Sequence, residues 1–305
     1  MTFKKRFFKI SRLLFALLCL TQLIPNKIDK PDEFLYTLGF AAIIEIALIA
    51  ADAFSRKPET LNLPHDIAAF LYALLIVWIL ATAKLSLLKE MLFPPPGVVF
   101  KQLITDIPQL LPHIGSSLAL VGKGYALALA IAVPLGLILG TAVRAGNAAT
   151  YISKFIGSIP PVVYIPYGIA LLPSFRAVSV MVIFLASFWP ILAATMSGVL
   201  YIDKRITDSA QVLNVGKTET LCKIILPASL PQIFTGMGQG LTVSFILLTS
   251  AEMIGARNGM GYYVKNYSDL GNYTRTIVGV LIIGIVISVV FFVFNKLQKF
   301  ALRWR

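Results

Sequence analysis

Two acidic residues of this 305-residue chain, Glu45 and Asp52, lie in one long apolar stretch, where a charge is costly and therefore marks a candidate functional site. They are seven residues apart, so a helix places them on one face. Acids arranged in this way can relay protons through an apolar region. The structural alternative, which we favour, has Asp52 at the edge of the stretch and Glu45 paired with a polar partner such as Lys84.

A third acid, Glu252, lies near the end of another apolar stretch, beside a turn that contains Gly255 and Gly259. Its carboxylate can gate a solute, but a structural or interfacial role is the stronger interpretation. Ser244 and Thr249 in the same stretch are better hydrogen-bond donors to an anion than a carboxylate is. We therefore treat Ser244, Thr249 and Glu252 as candidate pathway residues.

Pro160 and Pro161 are candidates for a different reason, because the segment 159–166 cannot form a regular helix. Each proline removes a backbone donor and clashes with the preceding turn. Broken backbone inside a membrane is tolerated only where it is buried in protein or lines a cavity. Both prolines are therefore candidate pathway residues, and the alternative is a simple kink.

The residue types that metal or nucleophilic chemistry needs are scarce. The two cysteines match no metal-ligand spacing, and only two histidines are present. Gly216-Lys217-Thr218 resembles the end of a phosphate-binding loop, but that motif needs a glycine five residues earlier, where this chain has glutamine. We predict no catalytic, metal or ATP site in this chain.

The composition indicates which class of protein holds these residues. Hydrophobic residues make up 57% of the chain and charged residues 13%, about half the usual charged fraction of a soluble domain. The net charge of +13 would suggest nucleic acid in a soluble protein, but here the basic residues stand at the ends of apolar runs. The composition predicts an integral membrane protein and excludes a soluble enzyme and a DNA-binding protein, and the lengths of the apolar stretches make the expected fold all-α.

Seven apolar stretches reach the roughly 20 residues that a membrane-spanning helix needs. They are 34–54, 66–88, 116–142, 151–172, 178–200, 233–254 and 276–294. An eighth, 13–24, follows five basic residues and resembles a leader peptide, but no small-residue cleavage site follows it. We therefore expect a retained first span and about eight transmembrane helices.

Basic residues indicate the orientation of the spans, since Lys and Arg concentrate in cytoplasmic loops. With the N-terminus inside, the cytoplasmic segments hold 16 basic residues and the outer segments 8. This bias predicts cytoplasmic N- and C-termini. The orientation of the later spans is the same whether or not the first stretch is removed.

Two further patterns concern helix packing. Gly136 and Gly140 are four residues apart, as are Gly236 and Gly240, and this spacing lets membrane helices approach closely. Apolar residues at helical spacing in 97–111 alternate with polar ones and predict a short amphipathic helix on the outer surface.

The longest predicted cytoplasmic loop, 201–232, is predicted to form an elbow of two short helices. Thr207 is a suitable N-cap of the first helix, which Asn214-Val215-Gly216 interrupts. The second helix runs from Thr218, as its cap, to Leu226 and ends at Pro227. Because the elbow lies outside the lipid, we expect it to dock onto another protein.

The elbow resembles the EAA loop of binding-protein-dependent ABC transporter permeases. That loop has Glu-Ala-Ala, three residues, Gly, nine residues and Ile-x-Leu-Pro, and this chain has Asp208-Ser209-Ala210, Asn214 and Ile225-Leu226-Pro227. Asn for Gly is a mild change, because Asn tolerates the left-handed conformation at a helix end. From Phe93 to the C-terminus, segments such as 93–96, 226–231 and 251–254 are similar to the nitrate/sulfonate/taurine branch.

The resemblance implies a MetI-like importer permease fold, with 1–65 as an extra N-terminal transmembrane hairpin and 66–305 as the permease domain. It implies a homodimer in the bacterial inner membrane, a separate ATP-binding cassette subunit that holds ATP and magnesium, and an extracytoplasmic solute-binding protein. No cofactor, enzymatic activity or nucleic acid is expected for this chain. The residues implied to couple to the ATP-binding subunit are Asp208, Ser209, Ala210, Leu213, Asn214, Gly216, Leu226 and Pro227.

The implied function is ATP-driven import of a small, anionic solute. Nitrate, taurine, alkanesulfonates, bicarbonate and thiamine precursors are all compatible with the branch, and nothing in the chain separates them. The alternative is a proton-coupled secondary transporter that uses Glu45, Asp52 and Glu252. That alternative leaves the elbow unexplained.

Overall fold

The computed structural model describes residues 10–27, 33–54 and 62–304, and the regular secondary structure of these residues is all helical. The basic residues before position 10 and the loop 55–61, both used to predict orientation, lie outside the described residues. The helices are α1 Ile10–Leu23, α2 Glu33–Phe54, α3 Asn62–Ile79, α4 Pro96–Thr141, α5 Val143–Gly157, α6 Ile165–Leu171, α7 Phe175–Leu200, α8 Lys204–Val212, α9 Leu226–Gly255, α10 Met260–Asp269 and α11 Tyr273–Ala301.

Six helical segments of the described chain are long and apolar enough to cross a membrane, and a bent pair of helices makes a seventh. Each lies on one of the seven predicted stretches, so the all-α membrane fold is confirmed. The eighth, α1, has 14 residues. At about 1.5 Å per residue it is shorter than the roughly 30 Å hydrocarbon core.

The bent pair contains the predicted break. Arg144–Gly157 and Pro161–Leu171 meet at an angle of 74°. Pro160 is extended rather than helical, and Pro161 opens a single 3₁₀ turn that ends at Tyr164. The prediction that the stretch cannot form a regular helix is confirmed for 159–164, because the two adjacent prolines each lack the donor that an α-helix needs, whereas α6 already begins at Ile165 with Pro166 in its first turn.

The prediction of a separate amphipathic helix over 97–111 is wrong. Helix α4 continues without a break through 46 residues, from Pro96 to Thr141. Buried positions recur at helical spacings along it, and Val99, Leu110 and Ser117 are 11 and 7 residues apart. Because the surface segment and the membrane segment share one buried stripe, packing favours a single long helix over two.

The described residues up to Pro108, together with Asn266–Val280, form one compact unit. Within it α1 packs along α3, and α2 contacts both helices. Its interior includes Leu18, Ala41 and Tyr72, all fully buried. The predicted boundary after residue 65 falls inside the first turn of α3, and the division into a 1–65 hairpin and a 66–305 domain remains a prediction.

The second unit comprises Gln109–Lys265 and the described residues from Leu281 onward. Its most extensive helix contact joins α7 and α9. A Cβ added to Gly240 of α9 would lie 3.1 Å from the Cα of Ser187 in α7, and one added to Gly136 of α4 would lie 2.6 Å from the Cβ of Thr195. The predicted close helix contacts at both glycine pairs are confirmed.

A bulky residue at this contact should therefore force the helices apart. Gly240→Val is expected to lower the melting temperature of the purified protein by about 5 °C, because overpacking costs about 1–3 kcal/mol. Gly284→Val is the matched control, since Gly284 is also helical but has no atom within 4 Å of an added Cβ. Equal melting temperatures for the two variants would contradict the assignment of Gly240 to a tight contact.

Candidate functional site

The elbow begins with a capped helix just after the membrane-spanning helix α7. The side chain of Asp203 accepts a hydrogen bond from the backbone N–H of Arg205 at 2.9 Å and so caps α8. The predicted N-cap, Thr207, is instead inside the helix, where its hydroxyl donates to the carbonyl of Lys204. Helix α8 therefore starts at Lys204, earlier than predicted, because aspartate is at least as favourable at the N-cap position as threonine.

The turn that ends α8 contains the left-handed residue that the sequence predicted. Asn214 has φ +51°, in the left-handed region. The N–H of Val215 donates to the carbonyl of Ala210 at 3.0 Å and closes the turn. Asn214 therefore adopts the conformation that a helix-ending glycine would supply, as predicted.

The prediction that Pro227 ends the second helix is wrong. Lys217–Gly255 is one helical segment of 39 residues, which begins in the elbow and continues as α9. A π-helical segment, Thr220–Ile225, stands before Pro227. The wider π turn gives room to a proline ring that lacks an N–H. Gly216, not Thr218, occupies the N-cap position, and no side chain caps this end.

The length of this helix determines where the elbow lies. A helix of 39 residues is about 58 Å long, whereas the hydrocarbon core is roughly 30 Å thick. The first turns of the helix, which carry the exposed charged residues Lys217, Glu219 and Lys223, must therefore extend beyond the lipid. The elbow projects from the membrane as a continuation of α9.

The eight residues predicted to couple to an ATP-binding subunit differ in exposure. Five of them present their side chains or backbone to the exterior: Asp208, Ser209, Leu213, Asn214 and Gly216. Ala210 is only 3% exposed, and Leu226 packs against Leu137 and Val199 in a small apolar cluster. Ala210, Leu226 and the half-buried Pro227 therefore support the elbow from within, and the other five form its outer face.

At the opposite end of α9, Glu252 lies in a closed hydrogen-bond network. Its Oε1 accepts from the hydroxyl of Ser117 in α4 at 2.5 Å, and its Oε2 accepts from the N–H of Gly261 in α10 at 2.8 Å. The Ser117 oxygen in turn accepts from the N–H of Met260 at 2.9 Å. Glu252 and Ser117 are 1% and 0% exposed. The carboxyl group therefore caps the first turn of α10 from another helix.

Two glycines allow the start of α10 to lie close to Glu252 and to the backbone of α9. Gly259 has φ +126°, and a Cβ there would overlap the carboxyl atoms of Glu252. A Cβ on Gly261 would lie 2.5 Å from the carbonyl oxygen of Thr249. The N–H of Gly259 donates to Nδ1 of His113 at 3.1 Å, so the imidazole acts there as an acceptor.

The other candidate pathway residues in α9 use their hydroxyl protons within the helix. Ser244 donates to the carbonyl of Gly240 at 2.7 Å, and Thr249 donates to the carbonyl of Phe245 at 2.9 Å. Ser244 is also fully buried. In this arrangement neither proton is directed toward a solute, and the assignment of both residues to the pathway remains a prediction.

Two of the three acids of the alternative proton relay, Glu45 and Asp52, form a local cluster among the N-terminal helices, whereas Glu252 belongs to the separate network described above. The guanidinium of Arg12 lies 2.6 Å from Asp52 and 3.4 Å from Glu45. The ring of His65 reaches Asp52 at 3.1 Å, and the hydroxyl of Tyr72 donates to Glu45 at 3.1 Å. Each acid therefore has a basic or hydroxyl partner, which favours a structural role.

The predicted pairing of Glu45 with Lys84 is wrong. Lys84 donates instead to the carbonyls of Gln22 and Ile24 at the C-terminal end of α1. The last carbonyls of a helix have no partner within it and carry partial negative charge, so they attract a cation from another element. The predicted structural character of Glu45 stands, but with Arg12 and Tyr72 as its partners.

Comparison with known proteins places this arrangement in a family. A family model described as "Binding-protein-dependent transport system inner membrane component" matches residues 132–304. A probable ABC transporter permease protein of Brucella melitensis is 32% identical over 213 residues, which cover 68% of this chain and 85% of the relative. The taurine transport system permease protein of Escherichia coli is 26% identical over 82% of this chain and 92% of its own length.

Two further comparisons concern the branch and the fold. The nitrate import permease protein of Leptolyngbya laminosa is 28% identical over 57% of this chain, and this chain spans 62% of the length of that relative. A chain of the inward-facing MetNI methionine ABC transporter superposes with a TM-score of 0.55, at 16% identity, over 63% of this chain and 95% of its own length.

These findings confirm the predicted MetI-like fold and the similarity to the nitrate/sulfonate/taurine branch. They also confirm the prediction of a multi-pass membrane component of a transport system rather than an enzyme. The chain belongs to the family of binding-protein-dependent transport system inner membrane components.

Proposed function

We propose that this chain is the permease subunit of an ATP-driven importer for a small anionic solute, and that its elbow docks onto an ATP-binding subunit. The ATP and magnesium bind in that partner and not in this chain. The observation that carries the proposal is the exposed elbow at the end of a helix too long for the membrane. An elbow of this kind has no role within the lipid.

The chemistry of the elbow's outer face supports docking to a protein. Val212 and Leu213 are 82% and 75% exposed, beside the charged Asp208. Apolar side chains at this level of exposure, ringed by polar ones, are typical of an interaction surface. Asp203 and the left-handed Asn214 hold the face in a defined shape, so that little ordering entropy is lost on binding.

The solute class is proposed from the relatives, which are named for nitrate, taurine and bicarbonate transport. These three solutes are small and carry an anionic group. Selection among them is proposed to lie in a separate solute-binding protein. We further propose that two copies of this chain form the pathway in the bacterial inner membrane, with both termini cytoplasmic.

To test the proposal, the tagged chain is expressed from its native gene neighbourhood and purified under mild conditions, and the proteins that co-purify with it are identified. We expect an ATP-binding subunit in stoichiometric amount, identified by mass spectrometry. Leu213→Arg should lower that amount at least tenfold, because it places a charge on the outer face of the elbow. Leu270→Arg is the matched control, since Leu270 is 71% exposed but lies outside the elbow.

Two outcomes would contradict the proposal. One is equal recovery of the ATP-binding subunit with both variants, which would show that the elbow is not the docking surface. The other is a chain that purifies alone and supports solute uptake without ATP. That second result would favour the proton-coupled alternative and direct attention to Glu45 and Asp52.

A further inference from the structure

We propose that the last turns of α11 form a binding site for an anionic phospholipid, whose phosphate lies on three cations and whose acyl chains lie on an exposed apolar stripe. The cations are Lys296, Lys299 and Arg303. The site is separate from the elbow, and the inference does not depend on import of a solute. It depends only on α11 crossing a membrane, and Tyr273–Ala301 is long and apolar enough to do so.

The first step of the argument is that α11 has two different faces. One face packs against the apolar cluster between α4, α7 and α9, and it consists of Ile287, Val290, Phe291 and Phe294. The other face carries Ile285, Val289 and Phe292, which are 47%, 57% and 59% exposed. In a membrane, an exposed apolar face of this kind contacts the acyl chains of lipids.

The second step is that the exposed stripe leads directly to the cations. From Ile285 through Val289, Phe292 and the first two cations to Arg303, the positions follow one another at steps of four or three residues. This spacing keeps them on one face of a helix. The three cationic side chains are all exposed. A lipid that lies along Val289 and Phe292 therefore has its polar end beside the cations.

The third step is the depth of the cations in the membrane. Helix α11 has 29 residues, so it is about 43 Å long and exceeds the hydrocarbon core of roughly 30 Å. Lys296 comes about 34 Å along the helix from Tyr273. The helix has then crossed the hydrocarbon core, and the next turns reach the level of the lipid headgroups.

The fourth step is the uncompensated charge of this helix end. Residues 270–305 contain no aspartate and no glutamate. The ammonium nitrogen of Lys296 lies 4.6 Å from the ring centre of Phe292, and the guanidinium carbon of Arg303 lies 5.7 Å from that of Phe300. Aromatic rings hold cations in place but do not neutralise them. The positive charge is therefore available to an anion, and the phosphate of an anionic lipid is the anion expected at this depth.

The fifth step is the apolar surface beside the cations, which favours a lipid over a soluble acidic protein. Leu297, Phe300 and Trp304 are 57%, 72% and 60% exposed. Aromatic side chains and long cationic ones are typical of the boundary between acyl chains and headgroups, where both find a suitable environment. An acidic surface of the ATP-binding subunit would match the cations but not these apolar side chains.

The experiment measures lipid binding to the purified full-length chain after removal of native lipid in a neutral detergent. Phosphatidylglycerol is added and the bound fraction is followed by native mass spectrometry. Phosphatidylcholine with the same acyl chains tests the requirement for net negative charge. Glycerol 3-phosphate, added as a competitor, tests whether a phosphate without acyl chains is sufficient.

The test variant and its control remove the same amount of charge from exposed positions. The test variant combines Lys296→Gln, Lys299→Gln and Arg303→Gln. The control removes three exposed cations outside α11 and combines Lys89→Gln, Arg176→Gln and Arg257→Gln. Melting temperatures of both variants in phosphatidylcholine nanodiscs should equal that of the parent chain, which shows that a loss of binding is not a loss of fold.

We expect the test variant to bind phosphatidylglycerol at least tenfold more weakly than the parent chain, and the control to differ from it less than twofold. The reason is that each Lys or Arg near an anionic membrane surface strengthens binding about fivefold. The parent chain should prefer phosphatidylglycerol to phosphatidylcholine at least tenfold, and added salt should weaken this preference. Glycerol 3-phosphate should not displace the lipid.

Three results would overturn the inference. The first is equal affinity of the test variant and the control for phosphatidylglycerol, and the second is a parent chain that does not distinguish the two lipids or whose preference is insensitive to salt. The third is displacement of the lipid by glycerol 3-phosphate, which would indicate a site for free phosphate. If the test variant instead loses the ATP-binding subunit while it still binds lipid as the parent does, this face belongs to that partner. None of these results would contradict docking at the elbow.

Discussion

Replacement of Gly259 by alanine is expected to lower the yield of folded protein at least tenfold. The added Cβ would overlap the carboxyl group of Glu252, and the backbone at φ +126° is one that residues with a side chain rarely adopt. Relief of the overlap requires Glu252 to leave Ser117 and Gly261, and a buried carboxyl group without its donors is costly. The measurement is the monodisperse fraction after gentle solubilisation, followed by size-exclusion chromatography.

The matched control for this prediction is Gly271→Ala. Gly271 also has a positive φ, +69°, but an added Cβ there has no atom within 4 Å. Its cost is then only the backbone term, about 1 kcal/mol, and most of the yield should remain. Similar yields of the two variants would show that the Glu252 network does not need the space at Gly259.

Replacement of Arg12 by methionine is expected to lower the melting temperature by about 10 °C. The change removes the guanidinium that lies beside both acids, and it leaves the buried Glu45 and the partly buried Asp52 without that positive charge. Loss of one partner of a buried ion pair costs about 3–5 kcal/mol, and each kcal/mol is worth about 2–4 °C in a chain of this size. The measurement is the loss of helical circular dichroism on heating in nanodiscs.

Two further variants separate the electrostatic effect from a packing effect. Glu45→Gln with Asp52→Asn, added to Arg12→Met, removes the uncompensated charge and should recover at least half of the lost stability. Lys223→Met breaks the exposed ion pair with Glu219 and should change the melting temperature by less than about 2 °C. A triple variant as unstable as Arg12→Met alone would show that the guanidinium acts through packing.

The two predictions concern acids that are stabilised by different kinds of partner. Glu252 is held by neutral donors from a serine and a helix start, whereas Asp52 and Glu45 are held by a cation. Both arrangements satisfy the carboxyl groups locally. In the sequence these acids suggested a proton relay. In the folded chain each of them has partners on neighbouring helices, which favours a structural role.

Several features could be predicted from the sequence because they depend on neighbouring residues alone. The apolar stretches give the spans, since a helix satisfies its own backbone within the membrane. The adjacent prolines at 160 and 161 predict the break, and Asn214 predicts the left-handed turn. The glycine pairs indicate where helices meet, because only a missing side chain permits such close approach.

Two of the wrong predictions, both of places where a helix was expected to end or begin, share one physical reason. Pro227 and the segment 97–111 both looked like boundaries, yet a helix continues through each. A proline or a change in polarity only weakens a helix locally, and burial of a continuous apolar stripe over many turns outweighs that local cost. The elbow was therefore recognised in the sequence, but its continuity with α9 was not.

The sequence by itself determined the class of the protein: an all-helical membrane chain with its spans, its break, its glycine contacts and an elbow similar to that of ABC permeases. Only the tertiary structure decided which groups the buried charges contact. Ser117 and Glu252 are 135 residues apart, and Arg12 and Asp52 are 40 apart. Hydropathy and helical periodicity describe a residue and its near neighbours along the chain, whereas the partner of a buried charge depends on how separate helices pack.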